Sequence, residues 1–508
     1  MERTIDRSLE RAAALRRGEP FLFFEGKTVR YGVFVDRVAR TAGGLERAGV
    51  RAGDRVALLL GNVPEFAEAV FALLRLGAVI VPINQFLAPP EIARLIKRAG
   101  PASIVAGEEM LPLLSDAPSL ERGLFVVGRE KRGDHRRFED LGRGEALSEA
   151  VPRPAPETTA LLLFTSGTEG EPRGVLLSHG NLCANARQCV EALETGPEDR
   201  FLLFLPLFHT FTLTVCLFLP AMLGASIVMV RSARNFPAMM RQAVLFRRVT
   251  VFVAVPAVYN ALARKRIPFL VRKLHSIRMM VSGSAPLTTQ TIAAVEAKFG
   301  APLLEGYGLT EAGPVVSVNR PAKRLAGTVG LPLPGIDVRV VGRKGEERMP
   351  GEVGELLVRG ENVADRYLGD DSPVENGWLR TGDLASLNED GFITIHDRKK
   401  DVILVRGINV YPREIEEAIT EHPAVAGAAV VRALSERKGE VPRAFVVPSE
   451  GMTLTPATIL GHLRGKLAPY KIPAYVEIVS DLPRGGTGKI LRRVLEERPL
   501  PGGAPGSA

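Results

Sequence analysis

The stretch RVALLLGNVPEFAEAVFALLRLGAVIVPI, Arg55–Ile83, reads as strand, helix and strand in succession. Arg55–Leu60 is a short apolar run. Pro64–Leu76 repeats at helical spacing and puts Phe66, Val70, Phe71 and Leu74 on one stripe, and Ala78–Ile83 is again apolar and β-branched. The unit recurs between Ser103 and Gly128 and at Phe201–Val230. It continues through Val251–Val255, Ile277–Val281 and Pro302–Glu305. Strands separated by helices predict parallel sheets with right-handed crossovers, covered on both faces.

From Ala326 to Asp397 the pattern changes. VRVVG, GELLVRG and GFITIHD are strands joined by turns such as NEDG, an antiparallel portion. Beyond Lys400 a compact α+β unit follows: strand VILVRG, helix Arg413–Glu421, strands GAAVVRAL and RAFVVPS, helix Ala457–Leu467, strand AYVEIVS and helix Lys489–Glu497. The fold class is therefore α/β, with a large multilayer N-terminal domain of parallel sheets plus a β-barrel-like portion, and a small α+β C-terminal domain. The expected division is 1–397, a hinge at 398–400, a mobile domain at 401–498 and a disordered tail at 499–508.

Of 508 residues, 46% are hydrophobic and 24% charged, which excludes disorder or coiled coil as the main state. Sixty-six Lys and Arg against 57 Asp and Glu leave +9. That mild bias suits anionic small ligands, or a loose encounter with a membrane, rather than a nucleic-acid surface. Three cysteines without C-x-x-C spacing and a charged N-terminus without an apolar core point to a reducing, cytoplasmic location. Phe201–Val230 carries no Asp, Glu, Lys or Arg. Pro206, Pro220 and Gly224 nevertheless break it into strand, helix and strand of a buried core rather than a membrane span.

The chemistry begins at LLLFTSGTEGEPRGVLLSHGN, Leu161–Asn181. An apolar strand feeds a loop of Thr165, Ser166, Gly167, Thr168, Glu169 and Gly170, with Arg173 near its end. Glycines and small hydroxyls let N–H and O–H groups close around phosphate oxygens, and the cation adds charge. No G-x-x-x-x-G-K-[ST] loop occurs, and on its own the segment reads equally well as an ordinary turn. EGYGLTEAGP (Glu305–Pro314), GWLRTGDLASLNEDGFITIHDRKKDVILVRGINVYPREIEE (Gly377–Glu417) and LPRGGTGKI (Leu482–Ile490) follow in order. With TSGTEGEPRG they resemble the adenylate-forming superfamily of acyl-CoA synthetases, luciferases and peptide-synthetase adenylation domains. PLFHTF, VPAVY and VRGINVYPREIEE look most like its fatty acyl-CoA ligases.

The resemblance implies ATP, Mg²⁺ and coenzyme A. It implies a two-step reaction, in which a carboxylate attacks the α-phosphate of ATP and a thiol then displaces AMP. It implies that Thr165–Arg173 clamps the β- and γ-phosphates, that Thr310 meets the α-phosphate, and that Glu311 holds Mg²⁺. Ser284, Ala285, Glu305, Gly306, Tyr307 and Gly308 would line the adenine site, Asp383 would bind the ribose hydroxyls, and Arg398 would add a donor. Lys489 would steady the negative charge of adenylation, Lys400 would be the hinge, and Gly407 would border coenzyme A. His209 would lie at the acyl entrance beside Phe208, Phe211, Val215 and Phe218. Read individually, Asp383 fits an Asx turn, Glu311 a turn cap, Lys489 a solvated basic face, and His209 a core histidine.

Two departures stand out. Arg173 replaces the usual Lys of this loop, keeping charge and adding a bidentate fork, and Glu169 stands where Thr is common. The seven histidines show no zinc spacing, and no G-x-S-x-G elbow exists. An acyl segment lacking charge suits a medium- or long-chain fatty acid. An aryl acid, a carrier-protein thiol in place of coenzyme A, or a non-catalytic nucleotide binder are the alternatives. Peripheral membrane association and a homodimer are compatible with this reading, and nucleic acid is not.

Overall fold

The computed structural model describes residues 2–128, 135–165, 173–231, 247–265, 267, 274–369, 371–405, 408–435, 439–464, 466–485 and 490–500. The chain divides into two compact units, Met1–Val338 with Val358–Arg380, and Arg339–Leu357 with Thr381–Ala508.

In the larger unit the opening stretch forms strand Arg55–Leu59, helix Pro64–Leu76 and strand Val79–Pro82, the two strands paired in parallel. Pro64 starts the helix, where its missing N–H costs nothing. Gly77, at φ 76, ends it in the left-handed conformation, donating to the Leu73 and Leu74 carbonyls. The helix is buried well beyond the expected stripe: Ala67, Ala69, Ala72, Leu73 and Leu76 are as inaccessible as Phe66 and Phe71. An apolar helix enclosed on most sides has a protein layer on each flank.

That unit contains an eight-stranded sheet, into which Ser103–Gly107, Leu124–Val127, Thr159–Thr165, Arg173–Ser178 and Arg366–Tyr367 also enter. Its nine-stranded sheet carries the parallel run Ser226–Met229, Arg200–Leu203, Val251–Ala254, Met279–Ser282 and Leu303–Gly308. The hairpin of Pro20–Phe24 and Lys27–Arg30 lies at one edge, with Pro20–Phe24 parallel to Ser226–Met229. The charge-free stretch resolves into strand Arg200–Leu203, helical turns from Thr210 to Leu223, and strand Ser226–Met229. Among the described residues no helix is long and apolar enough to cross a membrane.

Helix Ile5–Leu15 brings Asp6, 3% exposed, beside His179, 0% exposed, with Oδ1 and Nδ1 3.9 Å apart. Burial pushes the imidazole down to about 4, against the opposing pull of the Asp6 charge.

In the smaller unit, strand Ile403–Val405 pairs with Ile408–Val410, and Val425–Ser435 runs antiparallel to Gly439–Pro448. Strand Tyr475–Ile478 lies parallel to the latter, and helices Pro412–Thr420 and Pro456–Leu463 supply Ile415, Ile419, Ile459 and Leu463 to the core beneath. Buried Arg443 donates to Glu477 Oε1 at 2.6 Å and to the carbonyls of Arg498 and Pro499 at 2.7 Å each. The three strands expected between Ala326 and Asp397 are Asp337–Val341, Gly354–Arg359 and Ile393–Arg398, and a fourth that was not expected, Trp378–Leu387, pairs with the last of them.

Candidate active site

Strands Thr159–Thr165 and Arg173–Ser178 run antiparallel, and Thr165 pairs with Arg173 at the mouth of the expected phosphate loop. Ser166, Gly167, Thr168, Glu169 and Gly170 lie outside the described residues. Just past the loop, a Cβ on Gly174 would come within 2.9 Å of the Leu162 side chain and 3.0 Å of that of Leu368. Glycine there lets a second segment close in: Tyr367 pairs with Val175, and the Leu368 N–H donates to the Gly174 carbonyl at 2.7 Å.

Thr310 and Glu311 occupy a short 3₁₀ turn, Thr310–Ala312, directly after strand Leu303–Gly308. The strand can end this tightly because a Cβ on Gly308 would sit 2.1 Å from the Pro314 carbonyl oxygen. The Ala364 N–H donates to the Glu311 carbonyl at 2.8 Å, and the Tyr367 hydroxyl donates to Glu311 Oε1 at 3.3 Å. The Arg173 guanidinium lies 5.6 Å from the centre of the Tyr367 ring. Arg173 and Glu311, 138 positions apart in the chain, thus meet through one tyrosine. Burial and then the Glu311 charge push the Tyr367 phenol up to about 12.

Among the described residues no three His, Cys, Asp or Glu side chains gather into a metal cage. A half-buried carboxylate beside a threonine hydroxyl fits Mg²⁺ arriving on a nucleotide, because this ion takes one or two carboxylates together with phosphate oxygens.

The adenine candidates occupy the ends of two neighbouring parallel strands, Met279–Ser282 and Leu303–Gly308, where Ser282 pairs with Glu305. Ser284 holds φ at 76, a conformation costly for a residue with a Cβ. Glu305 is 2% exposed, and its Oε1 accepts the Leu287 N–H at 3.0 Å. It braces the loop that presents Ser284 and Ala285. Gly306 and Tyr307 pair across to Val318 and Ser317.

Where the acyl entrance is expected, the Phe208 ring contacts His209 at 4.2 Å and meets the largely exposed Phe86 edge-on at 5.9 Å. The half-buried Phe211 ends against Gly283, where a Cβ would come within 3.1 Å of its ring. Val215 and Phe218 sit deeper, 1% and 0% exposed, and Phe218 packs edge-on against Phe71.

In the smaller unit Asp383 and Arg398 face each other across paired strands, with Asp383 Oδ1 3.3 Å from Arg398 Nε. Asp383 is 5% exposed and stands within strand Trp378–Leu387 rather than in an Asx turn. Lys400 is exposed in the turn after strand Ile393–Arg398, and its neighbour Lys399 pairs with buried Glu355 at 3.1 Å. Asp397 accepts the N–H groups of Arg398 and Arg413 at 2.8 and 3.0 Å, the latter in the first turn of helix Pro412–Thr420. Burial pushes its carboxyl up to about 6. Gly407 and Lys489 lie outside the described residues.

Sequence reasoning missed Tyr367 and a set of bracing asparagines. Asn62, 4% exposed, donates to the Leu205 carbonyl at 3.0 Å and accepts the Leu207 N–H at 3.2 Å, holding the PLFH segment. Asn185 does the same to both backbone groups of Val315, at 2.7 and 3.0 Å. An amide that satisfies a donor and an acceptor of a distant segment has no local signature. Tyr367 offered only one faint hint, an aromatic among charged and glycine neighbours in ADRYLGDD.

Residues 9–368 match the family model for the AMP-binding enzyme, and residues 414–489 match that for the AMP-binding enzyme C-terminal domain. A long-chain-fatty-acid–CoA ligase of Yersinia pestis is 34% identical over 96% of the chain and 93% of its own length. A feruloyl-CoA synthase of an Amycolatopsis species is 35% identical over 96% of each. The crystal structure of an anthranilate CoA ligase in complex with anthranoyl-AMP matches with a TM-score of 0.88 and 28% identity, over 97% of this chain and 96% of that one.

Proposed function

The chain belongs to the AMP-binding enzyme family, as an ATP-dependent, AMP-forming acid–CoA ligase, and we propose that its acid is a medium- or long-chain fatty acid. The observation that carries this reading is a segment, Phe201–Val230, without a single Asp, Glu, Lys or Arg, presenting Phe208 and Phe211. An amino acid or a diacid would need a counter-charge there. A chain of methylenes needs only apolar surface, at about 0.8 kcal/mol for each CH₂ buried.

In the proposed first step, a carboxylate oxygen of the acid attacks the α-phosphorus of ATP and pyrophosphate leaves. Thr310 donates to the α-phosphate, and Thr165 and Arg173 hold the phosphates beyond it. Tyr307 stacks on adenine, Asp383 accepts from the ribose hydroxyls, and Arg398 steadies that carboxylate. Lys489 neutralises charge gathering between the acid and the α-phosphate. Glu311 would hold Mg²⁺, which would supply charge neutralisation on the phosphate oxygens. In the second step the thiolate of coenzyme A attacks the acyl carbon, AMP leaves with the electron pair, and Gly407 borders the thiol's path. Lys400 is the proposed hinge that lets residues 401–498 withdraw Lys489 between the two steps.

A second reading, an aryl acid, draws support from the edge-on pair of Phe86 and Phe208 and from the Phe211 ring set against Gly283. A ladder of saturated acids from six to sixteen carbons, run beside ferulate and benzoate with coenzyme A or a carrier protein as acceptor, separates the readings. The fatty-acid reading expects kcat/KM to climb about fourfold per added CH₂ until the pocket fills. A flat ladder beneath a strong aryl signal would overturn it. Discharge to carrier protein alone would replace the acceptor.

A further inference from the structure

We infer that Tyr367 is a positioning residue for the phosphate and metal side of the site, its hydroxyl fixing the Glu311 carboxylate and its ring fixing the Arg173 guanidinium. The inference rests on the proposed roles of Glu311 and Arg173 and adds the side chain that sets both.

Three contacts hold this tyrosine in place. Its backbone pairs with Val175, two residues beyond Arg173. The next N–H, of Leu368, reaches the Gly174 carbonyl at 2.7 Å, and Ala364, three residues before, donates to the Glu311 carbonyl at 2.8 Å. The segment is thereby tied by main chain to the end of the phosphate loop and to the Thr310–Ala312 turn. From that fixed base the hydroxyl donates to Glu311 Oε1 at 3.3 Å, and the Arg173 guanidinium lies against the ring, 5.6 Å from its centre, and toward the phenol oxygen.

The chemistry favours this division. A carboxylate whose one oxygen accepts a fixed O–H turns the other toward a cation, so Glu311 meets the metal in one orientation. A guanidinium over an aromatic face loses rotamer freedom but keeps its N–H fork for phosphate oxygens. Without the tyrosine, Arg173 and Glu311 are free to pair with each other, which would withdraw both from the nucleotide.

The test measures binding rather than turnover. ATP affinity is titrated calorimetrically, with and without Mg²⁺, for the parent chain and for Tyr367→Phe, Glu311→Gln and the double variant. Tyr367→Phe keeps the ring and removes the O–H. It should cut the Mg²⁺-dependent gain in ATP affinity by about tenfold, or ~1.4 kcal/mol, and weaken Mg²⁺-free affinity less than Tyr367→Leu does. The double variant should lose no more than Glu311→Gln alone, because the hydroxyl acts through that carboxylate. Tyr367→Leu, which also removes the ring, should in addition weaken Mg²⁺-free ATP binding through Arg173. Additive losses, or a Tyr367→Phe variant with the full magnesium gain while Glu311→Gln loses it, would overturn the inference. A Glu311→Gln variant with its magnesium gain intact would instead sink the underlying assignment of Glu311.

Discussion

Replacing Asp383 with Asn separates a ribose ligand from a sheet residue, because its surroundings make the two costs very different. Its partner Arg398 keeps a side chain 46% exposed. Once the carboxylate is neutralised, that guanidinium returns to water, and a pair of this kind contributes only about 0–1 kcal/mol to stability. Asparagine preserves shape in a position 5% exposed. Binding should suffer far more. Two hydroxyls donating to an ionised carboxylate contribute roughly 1.5–3 kcal/mol each. Losing about 3 kcal/mol in total already weakens AMP by about a hundredfold. The assay is calorimetric titration of AMP and of 2′,3′-dideoxy-AMP into both proteins, with melting temperatures recorded alongside. The parent should lose about two orders of magnitude when the hydroxyls are removed, and Asp383→Asn should lose little. Equal losses in both proteins would show that Asp383 does not touch the ribose. A melting point lower by many degrees, with AMP affinity intact, would make it a residue of the sheet alone.

Lys489→Ala should abolish acyl-AMP formation yet leave conversion of supplied acyl-AMP to thioester largely intact, and comparable losses in both half-reactions would count against its charge role. Lys400→Pro should do the reverse, keeping adenylation and losing most thioester formation, since proline fixes φ near −65° and restricts the residue before it. Rapid-quench measurement of each step decides, and equal slowing of both refutes the hinge. His179 is neutral in the fold, with its pKa lowered to about 4 from 6.5. Its stabilising contribution is therefore complete above pH 6.5 and lost as pH falls toward 4, a ceiling on the order of 3 kcal/mol. Melting temperatures between pH 7.5 and 5 should fall less steeply for His179→Gln than for the parent, and matching slopes would reject the assignment.

The parallel strands could be read from sequence because each is a short apolar run bounded by its own punctuation. Pro64 and Gly77 frame a helix wherever it packs, and the structure copies its limits from them. The near-complete burial of that helix was harder to see, since Ala67, Ala69 and Ala72 carry little hydrophobic signal and disappear only when layers close over them. Glu305 shows the same limit at the site. Its place beside Gly306 and Tyr307 followed from a motif, but its carboxylate turns to the Leu287 N–H, a contact made across two strands. Tyr367 and Asn62 were illegible for a related reason: each acts on a segment more than 50 positions away. Local pattern records what a residue needs from its neighbours, and not which distant turn it will meet.

The edge hairpin has a consequence for biosynthesis. Phe21, Leu22 and Phe23 are buried only when Pro20–Phe24 lies along Ser226–Met229, roughly 200 residues later in the chain. At about 5–20 residues per second, a nascent chain would hold the other edge of that apolar strand unpaired for roughly 10–40 s after it leaves the ribosome. During that interval its open strand edge can pair with any other chain that offers one. Glu25 and Lys27 at the turn, and Arg30 at the far end of the second strand, supply the charge that discourages such pairing until the proper partner strand has been made.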